Sequence, residues 1–138
     1  MDKKYIVTVQ CHIVKERCSG YLCEHAFSER TGSFYRYQQD SHIRFLSLTC
    51  GGCCGRALHR KLANLLKLSK KKENIEKDNV IVHLSSCISF DSHHGPACPH
   101  KEYLKTLICD KLGLDCVEGS RISDLTETRR QQGIYSER

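Results

Sequence analysis

The chain has 138 residues, 10 of them cysteine, and a formal charge of +6. That length suits one domain with a single hydrophobic core that needs no covalent staples. The apolar stretch from Tyr5 to Val9 is too short for a secretory signal and no later run approaches a membrane span. The expected compartment is therefore the cytoplasm, where thiols stay reduced, and thiolates for metal or redox chemistry are favoured over a disulfide framework.

Residues 5–11 (YIVTVQC) read as a first strand, almost continuous in apolar and β-branched side chains, as a strand covered on both faces should be. Residues 21–30 read as a short helix with Leu22 and Ala26 one turn apart and Cys23 and Phe27 beside them. A second strand is predicted over 42–50, and a helix over 55–68 whose Leu58, Leu62, Leu65 and Leu66 share one face. A third strand is predicted over 79–87. Pro99 starts and Gly113 stops a last helix, and residues 115–119 form a short fourth strand. The lysines of 67–79 mix with Glu73, Glu76 and Asp78 and lack interleaved aromatics, so they read as a solvated helix end rather than a nucleic-acid platform.

Strand–helix alternation with short connections implies right-handed crossovers. The expected fold is a three-layer α/β domain with a mostly parallel sheet of about four strands and helices on both faces. In such sheets ligands sit outside the carboxyl ends of the strands. Cys11, Cys50 and Cys87 end the predicted strands, Cys18 and Cys23 lie in the loop and helix after the first, Cys53 and Cys54 open the helix after the second, and Cys98 lies just before the last helix. The cysteines are therefore expected to cluster at the C-terminal edge of the sheet.

The segment TCGGCCGR (49–56) joins the second strand to its helix. Gly51 and Gly52 permit a positive φ and let amide groups crowd around a ligand. Cys53 sits near a helix N-terminus, which favours its thiolate. Cys50 and Cys53 form a C-x-x-C pair, and with Cys87 and Cys98 they offer four sulfurs, enough for tetrahedral zinc or an iron–sulfur cluster. His100, after the Cys98–Pro99 step, ranks first among the histidines as a further ligand. His59 and His83 read as structural, His93 and His94 as solvated loop residues, and Cys109 and Cys116 as small buried hydrophobes.

Two cysteine-dependent enzymes are the alternatives. The same segment is C-x5-R between a strand and a helix, the arrangement of phosphatases and arsenate reductases, with Cys50 as nucleophile and Arg56 as the oxyanion clamp. It lacks a hydroxyl residue after the arginine (Ala57), and no general-acid Asp declares itself. A thiol–disulfide reductase using Cys50 and Cys53 is the other.

Several ordered motifs carry a likeness to a known family: Cys11 after the first strand, RCSGYLCEHAF (17–27), Phe34 with Tyr37, CGGC-GR (50–56), VIVHLSSC (80–87) and CPH (98–100). In these the chain resembles the CGGC-domain proteins, small microbial proteins described as metal-binding, from residue 5 to about residue 119. The resemblance implies an α/β domain that binds metal through cysteine and histidine, with Cys11, Cys18, Cys23, Cys50, Cys53, Cys87 and Cys98 as the matching cysteines. Cys54 departs from the pattern, and the histidine that these proteins commonly carry after the last strand is replaced by residues 118–122 (EGSRI). The expected organisation is a CGGC-type metal-binding domain over 1–122 and a polar tail over 123–138. The expected partners are a metal ion, zinc or an iron–sulfur cluster, and a redox protein in electron transfer or sensing, with no membrane.

Overall fold

β1 (Lys4–Gln10) is the strand around which the others are arranged. It pairs with β2 (Ile43–Thr49) on one side and with β3 (Val80–Leu84) on the other, and β4 (Asp115–Glu118) pairs outside β3. All of these pairings are parallel, so the sheet has four strands in the order β2-β1-β3-β4. The computed structural model describes residues 4–38, 43–51, 55–90, 97–121 and 124–133.

The alternation of side chains along a strand explains why β1 and β3 are apolar almost throughout. Tyr5, Val7 and Val9 share one buried cluster with Val80, Val82 and Leu84, whereas Ile6 and Ile81 belong to the other. The first face is covered by Leu58 and Leu62 of α2 (Arg56–Glu73) and by Leu104 of α4 (Lys101–Thr106). A π turn (Leu107–Lys111) continues α4 and adds Ile108 to the same cluster. The second face is covered by Ala26 and Phe27 of α1 (Tyr21–Glu29) and by Phe34 and Tyr37 of a 3-10 segment (Gly32–Tyr37). There Phe27 stacks on Phe45 at 4.6 Å and meets Phe34 edge-on at 5.5 Å, arrangements that suit the ring quadrupoles.

Placing α1 and α2 on opposite faces is what right-handed crossovers demand, because the chain steps from β1 to β2 one way and from β2 back past β1 the other way. The reversal falls between β1 and β3. That is the switch point of a doubly wound sheet, where a crevice opens beyond the carboxyl ends of the strands.

Some boundaries differ from the sequence reading. α2 runs on to Glu73 because Lys70, Lys71 and Lys72 suit the negative end of the helix and Asn74 closes it at a left-handed φ of 56°. The basic run is therefore helix, with Lys70 paired to Glu76 and Arg44 to Glu73. A short helix, α3 (Ser86–Ser89), follows β3, so Cys87 lies in a helical turn rather than at the end of a strand. Leu22 is 49% exposed, and α1 packs through Ala26 and Phe27 instead. Residues Asp124–Gln131 of the tail form a helix, α5. Among the described residues no helix is long and apolar enough to cross a membrane.

Candidate functional site

The ladders of the sheet continue past the strand ends and set what lies beyond them. Cys50 N donates to Gln10 O at 3.0 Å, and Ser85 N donates to Val9 O at 2.9 Å. The residues after β1, β2 and β3 are thereby held side by side. Cys11, Cys50 and Cys98 line one pocket here, together with His12 and His100, and Ile88 and Leu104 add apolar wall. Cys50 is buried within the core cluster. Cys98 is held by its own amide, which donates to Ile88 O at 2.8 Å, and its sulfur accepts His100 N at 3.4 Å.

Cys87 stands behind Cys11. The Cys11 amide donates to Cys87 Sγ at 3.5 Å, and Ser85 Oγ lies 2.9 Å from the same sulfur. Burial pushes the Cys87 thiol up, and those two hydrogen bonds pull the other way without cancelling it. Cys23 Sγ meets Ser120 Oγ at 3.3 Å, and that hydroxyl accepts Ser86 N at 3.1 Å. Ser86 Oγ accepts Ser120 N at 3.0 Å in return, so α3 is fastened to the segment after β4. Cys18 is half-buried after a 3-10 turn (Val14–Glu16).

The glycine segment behaves as its composition demands where it is described. Gly51 has φ +72° and Gly55, the cap of α2, φ +75°. Lys61 of α2 reaches back to donate to Thr49 O and Thr49 Oγ1, both at 3.2 Å, and His12 Nδ1 meets the same hydroxyl at 3.3 Å. These contacts tie the end of β2 to α2 and to the segment after β1. Arg56, the expected oxyanion clamp, is exposed at the first position of α2. Cys53 and Cys54, like His93 and His94, lie outside the described residues.

Residues 5–121 match the CGGC domain. The chain belongs to the CGGC domain family. No curated protein and no solved structure matches it significantly.

For this CGGC domain the expected metal centre does not stand. Among the described residues no group of three or more Cys, His, Asp or Glu side chains is placed to hold a metal ion. Zinc, an iron–sulfur cluster, electron transfer through either, and the metal ion as partner are overturned together. The physical reason lies in how the thiols are spent. Cys87 is taken by Ser85 and the Cys11 amide, Cys23 by Ser120, and Cys98 by the His100 amide, while Cys50 is packed into the core. A buried thiol with a raised pKa also resists the deprotonation that a metal ligand needs. Cys11, Cys18 and His100 are left without the common centre that a tetrahedral site requires.

Other placements in the CGGC domain differ in both directions. His83 is structural as expected and fully buried; its Nδ1 donates to Gly119 O at 3.0 Å, which leaves Nε2 to accept the Tyr37 hydroxyl at 2.8 Å. His59 is exposed on α2. Cys109 is exposed and Cys116 half-buried, so Cys109 is no core residue. Burial, and then the nearby Cys109, push the Cys116 thiol up to about 12. The residue that sequence reasoning missed is His12. Its position next to Cys11, just past a buried strand, was the available signal.

Proposed function

We propose that this CGGC domain is a thiol–disulfide exchange protein whose working pair is Cys11 and Cys87. The observation that carries the reading is the 3.5 Å contact between the Cys11 amide and Cys87 Sγ across the β1–β3 switch point. It is supported by the pocket that presents Cys11 beside Cys50 and Cys98. In this reading the cysteines work as a cluster at the carboxyl edge of the sheet, residues 1–122 are the working unit, and 123–138 are an appended tail. The pair would rest as a dithiol in a reducing compartment such as the cytoplasm.

The roles follow from exposure and acidity. Cys11 faces the pocket and attacks one sulfur of an incoming low-molecular-weight disulfide, releasing one thiol and forming a mixed disulfide. Cys87 stays protonated at neutral pH because burial raises its pKa, which keeps it from competing for the substrate. On losing its proton it attacks Cys11 Sγ, expels the second thiol and leaves a Cys11–Cys87 disulfide. One substrate disulfide becomes two thiols, and the protein's two thiols become one disulfide.

The test is a reaction of the fully reduced protein with glutathione disulfide, followed by combined tryptic and Asp-N digestion, which separates Cys87 from Cys98. The peptide of Cys11 is expected linked to that of Cys87. Cys11→Ser should slow glutathione release about tenfold or more, and Cys87→Ser should trap glutathione on Cys11. Release at the wild-type rate by Cys11→Ser, or a trapped adduct on some other cysteine, would remove the pair from the mechanism.

A further inference from the structure

His12 is exposed, yet its ring is tethered. Its Nδ1 lies 3.3 Å from Thr49 Oγ1, and the same hydroxyl accepts the Lys61 ammonium at 3.2 Å. Lys61 carries donors only, so the hydroxyl oxygen is the acceptor toward Lys61 and turns its own hydrogen to Nδ1. The anchor itself is fixed. Thr49 ends β2 opposite Gln10 of β1, and its carbonyl takes a second donation from Lys61 at 3.2 Å. A ring that accepts at Nδ1 carries its hydrogen on Nε2, the nitrogen left without a partner among the described residues. That ring forms part of the pocket wall beside Cys11.

We propose that His12 is the hydrogen-bond donor to the leaving sulfur, and that it fits the pocket to disulfides of aliphatic thiols. The inference rests on the exchange reading of Cys11 and Cys87. The Cys11 thiolate attacks one substrate sulfur, the S–S bond breaks, and its electron pair departs on the second sulfur as a thiolate. Nε2–H of His12 bonds to that thiolate as its charge develops, and the thiolate takes a proton from water after release. An aliphatic thiolate is strongly basic and leaves slowly, whereas an aryl thiolate spreads its charge over the ring and leaves fast unaided. A fixed donor therefore speeds the first class and does little for the second. Ile13, Ile88 and Leu104 give the pocket apolar surface for an aliphatic arm. Thr49 and Lys61 are positioning residues, which act only by aiming Nε2.

The test uses Cys87→Ser as parent, which holds the reaction at the mixed disulfide on Cys11. The reduced parent is mixed with excess glutathione disulfide or with the aryl disulfide dithiobis(nitrobenzoate), quenched in acid and digested without reduction. Trypsin cuts after Lys4 and Lys15, so Cys11 is the one cysteine of peptide 5–15, and the adduct on that peptide is followed in time. Exposed Cys109 then does not enter the rate. Added to the parent, His12→Leu should slow the glutathione adduct about tenfold, the loss of one hydrogen bond to a charged sulfur, and leave the aryl adduct at the parent rate. His12→Gln, which carries an amide N–H in place of Nε2–H, should recover most of that loss. Thr49→Val should show a smaller loss of the same selective kind. Equal slowing with both disulfides would make His12 structural and overturn the inference, as would an unchanged glutathione rate in His12→Leu. Neither result touches the exchange pair while the parent forms its adduct on Cys11. A parent adduct on another cysteine instead removes the pair, and this inference with it.

Discussion

Lowering the pH from neutral to 4 should cost the folded domain about 3 kcal/mol through His83 alone. The folded-state pKa of His83 is lowered from 6.5 to about 4, chiefly because burial penalises the charged ring, with the Arg36 charge adding to it and the Gly119 carbonyl opposing it. The unfolded chain therefore takes up the proton first as the pH falls. Stability is complete above about pH 6.5, declines through the window down to about 4, and levels off below it. Urea titrations at pH 7, 5.5 and 4 measure the slope. His83→Leu should flatten that part of the profile, while losing about 1–3 kcal/mol at pH 7 because the hydrogen bonds of His83 with the Tyr37 hydroxyl and the Gly119 carbonyl are lost. A slope that survives His83→Leu unchanged would assign it to other groups.

Gly51→Ala should destabilise the domain by about 3 kcal/mol, from two sources that can be separated. At φ +72° an alanine is strained whatever surrounds it, and its Cβ would stand 2.3 Å from Ala57 Cβ. Ala57→Gly removes the overlap but not the strain, at a cost of about 1 kcal/mol for a helical glycine. The double variant should therefore be more stable than the sum of the two single losses by about 1–2 kcal/mol. Strict additivity in a denaturation cycle would mean that the end of β2 shifts away and that the contact never forms.

How much of this was legible in the sequence depends on the scale of the question. The mostly apolar run of residues 5–9 and the leucine stripe of 58, 62, 65 and 66 announced a covered central strand and its helix, and both are there. The sequence places Cys11 and Cys50 directly after β1 and β2, but it extends the third strand to Cys87, beyond its end at Leu84. It does not say where each sulfur points. One short helical turn after β3 is enough to swing Cys87 toward Ser85 and the Cys11 amide, and a hydroxyl on the segment after β4 claims Cys23. Counting thiols at an edge thus overestimates their convergence, since a metal site needs vectors and not merely neighbours. Cys109 was misread for a related reason: a helical pattern places it beside Ile108 and Leu112, whereas the π turn shifts the phase and turns it outward.

The central position of β1 has a consequence for how the chain is made. β1 is synthesised before the other strands of the sheet, but its two neighbours come from far along the chain, with Val9 beside Leu48 on one side and Leu84 on the other. Such distant pairings form late, after the entropy of closing long loops has been overcome. Until β3 has emerged, the most apolar strand of the protein has an open edge and Cys11 lacks the neighbour that covers it. The nascent chain is therefore at its stickiest and most oxidisable during the synthesis of residues 50–84. Slow translation over that stretch would favour aggregation, and cysteine pairs formed then would be foreign to the native sheet.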